Sequence, residues 1–154
     1  MQRIAGFSLH EVLVTLVVAS IALSIAVPRL EGFIRRERVR GAMNRLAGDL
    51  EFTRIAAIRH GRGASLRFVP DARCAGRGGR GYVVEVRGTG RILRTSFAPD
   101  DYPLCYSLNG STNAVTYSSN GLLAPFNNRT IRAVEGGIRD SLTVSAIGRI
   151  YRRW

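Results

Sequence analysis

Residues 7–27 form an apolar run long enough to cross a bilayer, yet it carries a carboxylate, Glu11, near its start. A hydrocarbon core takes roughly 20 helical residues to span, and an ionisable side chain inside it is costly unless it finds a partner. The run is interrupted only by His10, Glu11 and a few small hydroxyl residues, and it stops at Pro28. A secretory signal peptide would show a longer basic start and a small-x-small cleavage site. Here Arg3 stands alone ahead of the run, and the apolar block continues into an arginine-rich stretch. By itself the segment reads as an N-terminal membrane anchor.

Residues 29–154 suffice for one helix on one small sheet domain, and no internal repeat is visible. The chain holds 23 basic residues against 11 acidic ones, a net charge of +12, and every base is arginine. Such an excess expects a polyanionic partner: nucleic acid, anionic lipid or acidic glycan. Catalysis is not expected. Asp100 and Asp101 read as turn residues before Tyr102-Pro103. The glycine-rich stretch 76–81 lacks the Lys-Ser/Thr ending of a phosphate-binding loop, and no helix follows it. The two histidines, His10 and His60, fall on the N-terminal helix, so neither a metal site nor a cofactor is expected.

Val39, Met43, Leu46, Leu50 and Ala57 recur at helical spacing, with Thr53 filling the gap. Arginines occupy the other faces. The pattern predicts an amphipathic helix ending at His60-Gly61, continuous through a kink at Pro28 with the apolar segment. Beyond Gly63 the period becomes two. Leu66 and Phe68 alternate with Ser65 and Arg67, then Tyr82, Val84 and Val86 with Val83, Glu85 and Arg87, and residues 87–91 read as a hairpin turn into a strand at 92–97. Further strands are predicted around Val115 and Tyr117, at 130–134 and at 142–147, with turns at Asn120-Gly121 and Gly136-Gly137. The class is α+β: one long helix on a small antiparallel sheet. Asn109 and Asn128 begin glycosylation-type tripeptides, which we discount.

Gly6-Phe7-Ser8-Leu9-His10-Glu11 resembles the cleavage motif of type IV prepilins. The resemblance implies a leader, residues 1–6, removed after Gly6 by a prepilin peptidase, and N-methylation of Phe7. It implies a transmembrane and filament-core helix over 7–28, an amphipathic helix over 29–62 and a β domain over 63–154, the type IV pilin fold. Glu11 then falls where the family carries its assembly glutamate, facing the amine of a neighbouring Phe7, and Pro28 matches the family's kink. His10 departs from the usual aliphatic residue. The arginines after the span, taken alone, would put the C-terminal domain in the cytoplasm. The resemblance instead implies a single-pass protein of the bacterial inner membrane with a periplasmic domain. In that compartment Cys74 and Cys105 read as one possible disulfide, free thiols being the alternative.

Residues 46–61, 115–121 and 141–149 resemble the helix end, a middle strand and the terminal strand of the GspH/FimT family. Its members are minor pilins or type II secretion minor pseudopilins that assemble with other pilins. One branch binds double- or single-stranded DNA during natural transformation and carries a Gly-Arg-x-Arg motif near the C-terminus. Here the tail is Gly148-Arg149-Ile150-Tyr151-Arg152-Arg153-Trp154, with the second arginine one place late. In a strand that slip moves Arg152 to the opposite face. Ten arginines lie between Arg54 and Arg94, and six more from Arg129 onward. Arginine forks suit phosphates, and Tyr151 and Trp154 suit stacking on unpaired bases. The expected DNA-binding set is therefore Arg149, Tyr151, Arg152, Arg153 and Trp154. The alternative is a structural pseudopilin of the secretion machine, and a third is an adhesin for anionic surfaces.

Overall fold

The computed structural model describes residues 8–74, 78–97 and 103–153. Gly6 and Phe7 lie outside the described residues. The chain forms two compact units that divide between Arg36 and Glu37.

A single helix, α1 (Leu9–Arg59), runs through both units and through Pro28. Ser8 caps it. Its hydroxyl accepts from the Glu11 N–H at 3.3 Å, and its carbonyl accepts from the Val12 N–H at 3.2 Å. Ser8-x-x-Glu11 has the spacing of a capping box, and an acid in the first turn suits the helix dipole. In the first unit the apolar side chains face outward, Leu16 at 66 % and Ile21 at 60 % exposure. The hydroxyls of Thr15, Ser20 and Ser24 donate to carbonyls three residues back at 2.7–2.8 Å. Every hydroxyl of that stretch is thus satisfied within its own helix, as hydrocarbon demands. Among the described residues this is the one helix long and apolar enough to cross a membrane.

In the second unit α1 buries Val39, Met43, Leu46, Leu50, Thr53 and Ala57. It ends as its sequence dictates. Gly61 adopts φ 59°, the left-handed C-cap that lets the chain turn into the sheet. Eight antiparallel strands follow: β1 (Ala64–Pro70), β2 (Gly79–Val86), β3 (Arg91–Phe97), β4 (Cys105–Leu108), β5 (Ala114–Tyr117), β6 (Arg129–Glu135), β7 (Ile138–Val144) and β8 (Ile150–Arg153). The order is β5-β1-β2-β4-β6-β7-β8, with β3 also on β2. The two halves meet at a single residue pair, Gly79 with Tyr106. Gly79 is required there, because an added Cβ would lie 2.1 Å from the Val69 carbonyl oxygen. Phe68, Tyr82 and Tyr106 pack edge-on or tilted with ring centroids 5.7–6.0 Å apart, in one core with the buried residues of α1. Cys74 and Cys105 are disulfide-bonded, tying the turn after β1 to the start of β4.

Two strand expectations need correction. The strand expected over 142–147 begins at Ile138 and stops at Val144. Residues 145–149 form a tight turn in which Ser145 N–H donates to the Arg149 carbonyl and Gly148 N–H to the Ser145 carbonyl, both at 2.8 Å. The tail is the separate strand β8. β4 was not expected: its four residues are too short to show a period, and its place is set by the disulfide and by pairing with β6. The amides of Asn109 and Asn128 accept from the N–H groups of Thr130 at 2.7 Å and Ala146 at 2.9 Å, so both hold strand ends together.

The helix is fastened to the sheet by Asp49, which is 2 % exposed. Its carboxylate accepts from the Tyr82 hydroxyl at 2.7 Å and from Arg94, whose guanidinium lies 4.5 Å from the Phe52 ring centroid. Asp49→Ala should destabilise the domain by about 2–3 kcal/mol, the range for losing hydrogen bonds to a charged group. Arg94→Gln should cost about 1–3 kcal/mol, because it removes one of the two hydrogen-bond partners of the buried Asp49 carboxylate. Denaturant unfolding of the detergent-solubilised chain, followed by near-UV circular dichroism, measures both. The disulfide closes a loop with a sequence separation of 31. By the same readout, Cys74→Ser/Cys105→Ser should lose about 2–4 kcal/mol.

Candidate nucleic-acid interface

The described acids beyond Glu11 are all committed to arginines. Three pairs are local on α1: Glu31 with Arg35, Glu37 with Arg40, and Glu51 with Arg54, at 3.3, 3.4 and 3.9 Å. Two are local to strands and turns: Glu85 with Arg67 at 3.3 Å and Asp71 with Arg73 at 3.0 Å. The remaining three are long-range: Asp49 with Arg94, Glu135 with Arg38 and Asp140 with Arg152. The hydrogen bonds from Arg73 hold the Asp71 carboxyl below the usual carboxylate range. No described acid outside the apolar span is left over to neutralise a further arginine.

These pairs thin the arginine-dense region between Arg54 and Arg94. Arg54 also donates Nε to the Gly121 carbonyl at 3.2 Å, and Arg80 is buried. Arg59, Arg62, Arg87 and Arg91 are exposed, and no partner holds them among the described residues. Arg59 and Arg62 sit at the C-terminal end of α1, where the helix dipole favours positive charge. Arg87 and Arg91 flank the β2–β3 hairpin, and the Arg87 N–H donates to the Gly63 carbonyl at 2.8 Å, which joins the hairpin base to the helix end.

The tail residues do not form one set. Arg149 is exposed on the β7–β8 turn, with no intramolecular partner for its guanidinium among the described residues. That turn rests on the loop after β5: an added Cβ at Gly148 would lie 2.8 Å from the Gly121 carbonyl oxygen and 2.9 Å from Arg54 Nε. Its φ of 82° also calls for glycine. Arg149 therefore joins the group at the end of α1. Arg152 does not. β8 pairs with β7, setting Arg152 opposite buried Leu142 and Tyr151 opposite Thr143. Arg152 points to the inner side, where it binds Asp140 and Asn44. Its expected place in the DNA-facing set is corrected for that reason: the one-residue slip in the tail motif turned it inward. Tyr151 faces outward and is 52 % exposed. Arg153 holds the register position opposite Ser141. Its side chain, and all of Trp154, lie outside the described residues.

The buried tyrosines are structural. Burial and the bond to Asp49 push the Tyr82 hydroxyl up, burial pushes up Tyr117, and burial raises Tyr106 to about 12. No cluster of three or more potential metal ligands occurs among the described residues.

One long N-terminal helix on an antiparallel sheet is the type IV pilin fold. Two crystal structures of the Pseudomonas aeruginosa type IV minor pilin FimU share it. One aligns at TM-score 0.65 and 23 % identity over 79 % of this chain and 92 % of that one. The second, in another crystal form, aligns at 0.60 and 22 % over 75 % and 92 %. The family model of the type II transport protein GspH matches residues 42–148, and the chain belongs to that family. No curated protein sequence matches it. It is a minor pilin or pseudopilin, a structural rather than enzymatic class, whose members assemble with other pilins or pseudopilins.

The raised tyrosines predict alkaline instability. Their folded pKa values exceed the unfolded value of about 10, so the folded state binds more protons than the unfolded chain above that pH. Their contribution is complete below pH about 10 and should fall as pH rises through the folded value of about 12 for Tyr106. The denaturation midpoint measured from pH 8 to 12 tests this.

Proposed function

We propose that the chain is a minor pilin of a type IV pilus-like filament that binds DNA without reading its sequence, for uptake in natural transformation. One observation carries this reading: the described acids outside the apolar span are already paired, while exposed arginines remain with no partner among the described residues. Paired arginines serve folding. Unpaired ones add self-repulsion and favour a polyanion outside the chain. Binding through guanidinium–phosphate contacts gives affinity without base readout.

The rest of the proposal follows the sequence motif at the N-terminus. A prepilin peptidase cuts after Gly6, Phe7 is methylated, and Glu11 sets the register of the helix against its filament neighbours. The protein sits in the inner membrane with its C-terminal domain in the periplasm. The family's description as a type II transport protein favours a second reading, a minor pseudopilin in the secretion pseudopilus.

Arg149 tests the DNA reading, and Arg152 serves as the folding control. Under the DNA reading, Arg149→Ala weakens DNA binding by roughly 8-fold at 0.1 M salt, the share of one phosphate contact, with an unchanged unfolding midpoint. Arg152→Ala lowers the midpoint, because it strands Asp140. Fluorescence anisotropy with labelled DNA and the detergent-solubilised chain gives the first quantity. Absence of DNA binding by the unmutated chain leaves the pseudopilin reading.

A further inference from the structure

The arginines outside the helix-end group point to a distinct place. β6 and β7 are joined by Gly136-Gly137, both at positive φ, a two-residue hairpin turn that fixes their register. Strand alternation then sorts the side chains. Ile131, Ala133, Leu142 and Val144 turn inward and are buried. Arg132, Val134, Arg139, Ser141 and Thr143 turn outward, and β4 adds Ser107 to the same face. Arg139 pairs with Val134 across the hairpin, so Arg132 and Arg139 are diagonal neighbours, about 7–8 Å apart at the backbone. Both guanidinia are exposed and hold no intramolecular partner among the described residues.

These two arginines flank a groove of about 400 Å³ whose walls include Pro103, Cys105, Ser107 and Val134. No carboxylate lines it among the described residues. Asp140 and Glu135, the described acids adjoining it in sequence, lie on the opposite face and are taken by Arg152 and Arg38. The site therefore offers two unspent forked cations beside an apolar trough with a hydroxyl. A phosphate fits the forks. A flat, weakly polar body attached to it fits the trough. The same outward face continues through Thr143 to Tyr151 on β8, an exposed ring of the kind on which an unpaired base stacks.

We infer that this outer face of β4, β6, β7 and β8 is a binding site for single-stranded DNA, with Arg132 and Arg139 holding backbone phosphate and the groove between them receiving an unpaired base. A duplex supplies the phosphates but keeps its bases stacked inside, so it cannot fill the groove. The inference rests on the DNA reading above and names the form of DNA for this face. The arginines at the helix end, Arg149 among them, hold phosphates of either form.

The test compares labelled single strands and duplexes of equal length, bound to the full chain in neutral-lipid nanodiscs across a salt series. The expected result is tighter binding of the single strand. Arg132→Ala/Arg139→Ala should abolish that preference and flatten the single-strand slope of log affinity against log salt by about 1.4, roughly a 25-fold loss at 0.1 M salt. Arg149→Ala should keep the preference. Arg132→Lys/Arg139→Lys should keep the slope while losing part of the preference, because the charge stays and the fork goes. An unchanged unfolding midpoint in each variant establishes that the fold is intact. DNA binding by the unmutated chain with slope and preference unaltered in the double alanine variant overturns the groove and leaves the DNA reading standing. No DNA binding by the unmutated chain overturns both. Loss of binding to phosphatidylglycerol vesicles in the double variant, with DNA binding intact, overturns the groove in favour of a membrane surface.

Discussion

The second unit depends on one buried carboxylate. Apolar side chains such as Leu46 and Leu50 drive α1 onto the sheet, but hydrophobic contact is not directional. Asp49 supplies direction. It lies on the buried face, and a charge there is tolerable only with its hydrogen bonds made. Tyr82 on β2 and Arg94 on β3 make them, so any rotation of the helix that breaks these bonds leaves a charge stranded. The same bonds hold β2 and β3 at a set position under the helix, and β1, β4 and the rest are placed by pairing outward from β2.

What the sequence revealed was local. Helical spacing from Val39 to Ala57, the glycine stop at Gly61 and the alternation in β1 and β2 are short-range signals, and each element formed where it was expected. β4 carried too few residues to show a period. The end of β7 was obscured because Val144, Ala146 and Ile147 look strand-like, while the turn is decided by Gly148 and by contact with Gly121, far away in sequence. The arginines were the least legible. Arg94 finds Asp49 across 45 residues and Arg152 finds Asn44 across 108. Only the folded chain separates arginines spent on folding from those left over, and the tail, the densest candidate in the sequence, divides between the two.

The chain thus combines two surfaces of opposite character. In the first unit α1 presents exposed aliphatic side chains, a surface suited to lipid or to the helices of neighbouring subunits. In the second unit the surface bears guanidinium groups that no acid holds among the described residues. The pilin fold accommodates both, because the helix that anchors the subunit also supplies one wall of the domain core. Under the DNA reading, function is then a matter of which surface arginines the core leaves unused.

That idea is tested most directly by the salt dependence of DNA binding by the unmutated chain. Neutralisation of about five duplex phosphates by unpaired arginines predicts a slope of log affinity against log salt of about −4 to −5. A slope between zero and about −1, or no binding at low salt, would contradict the assignment of the unpaired arginines to DNA.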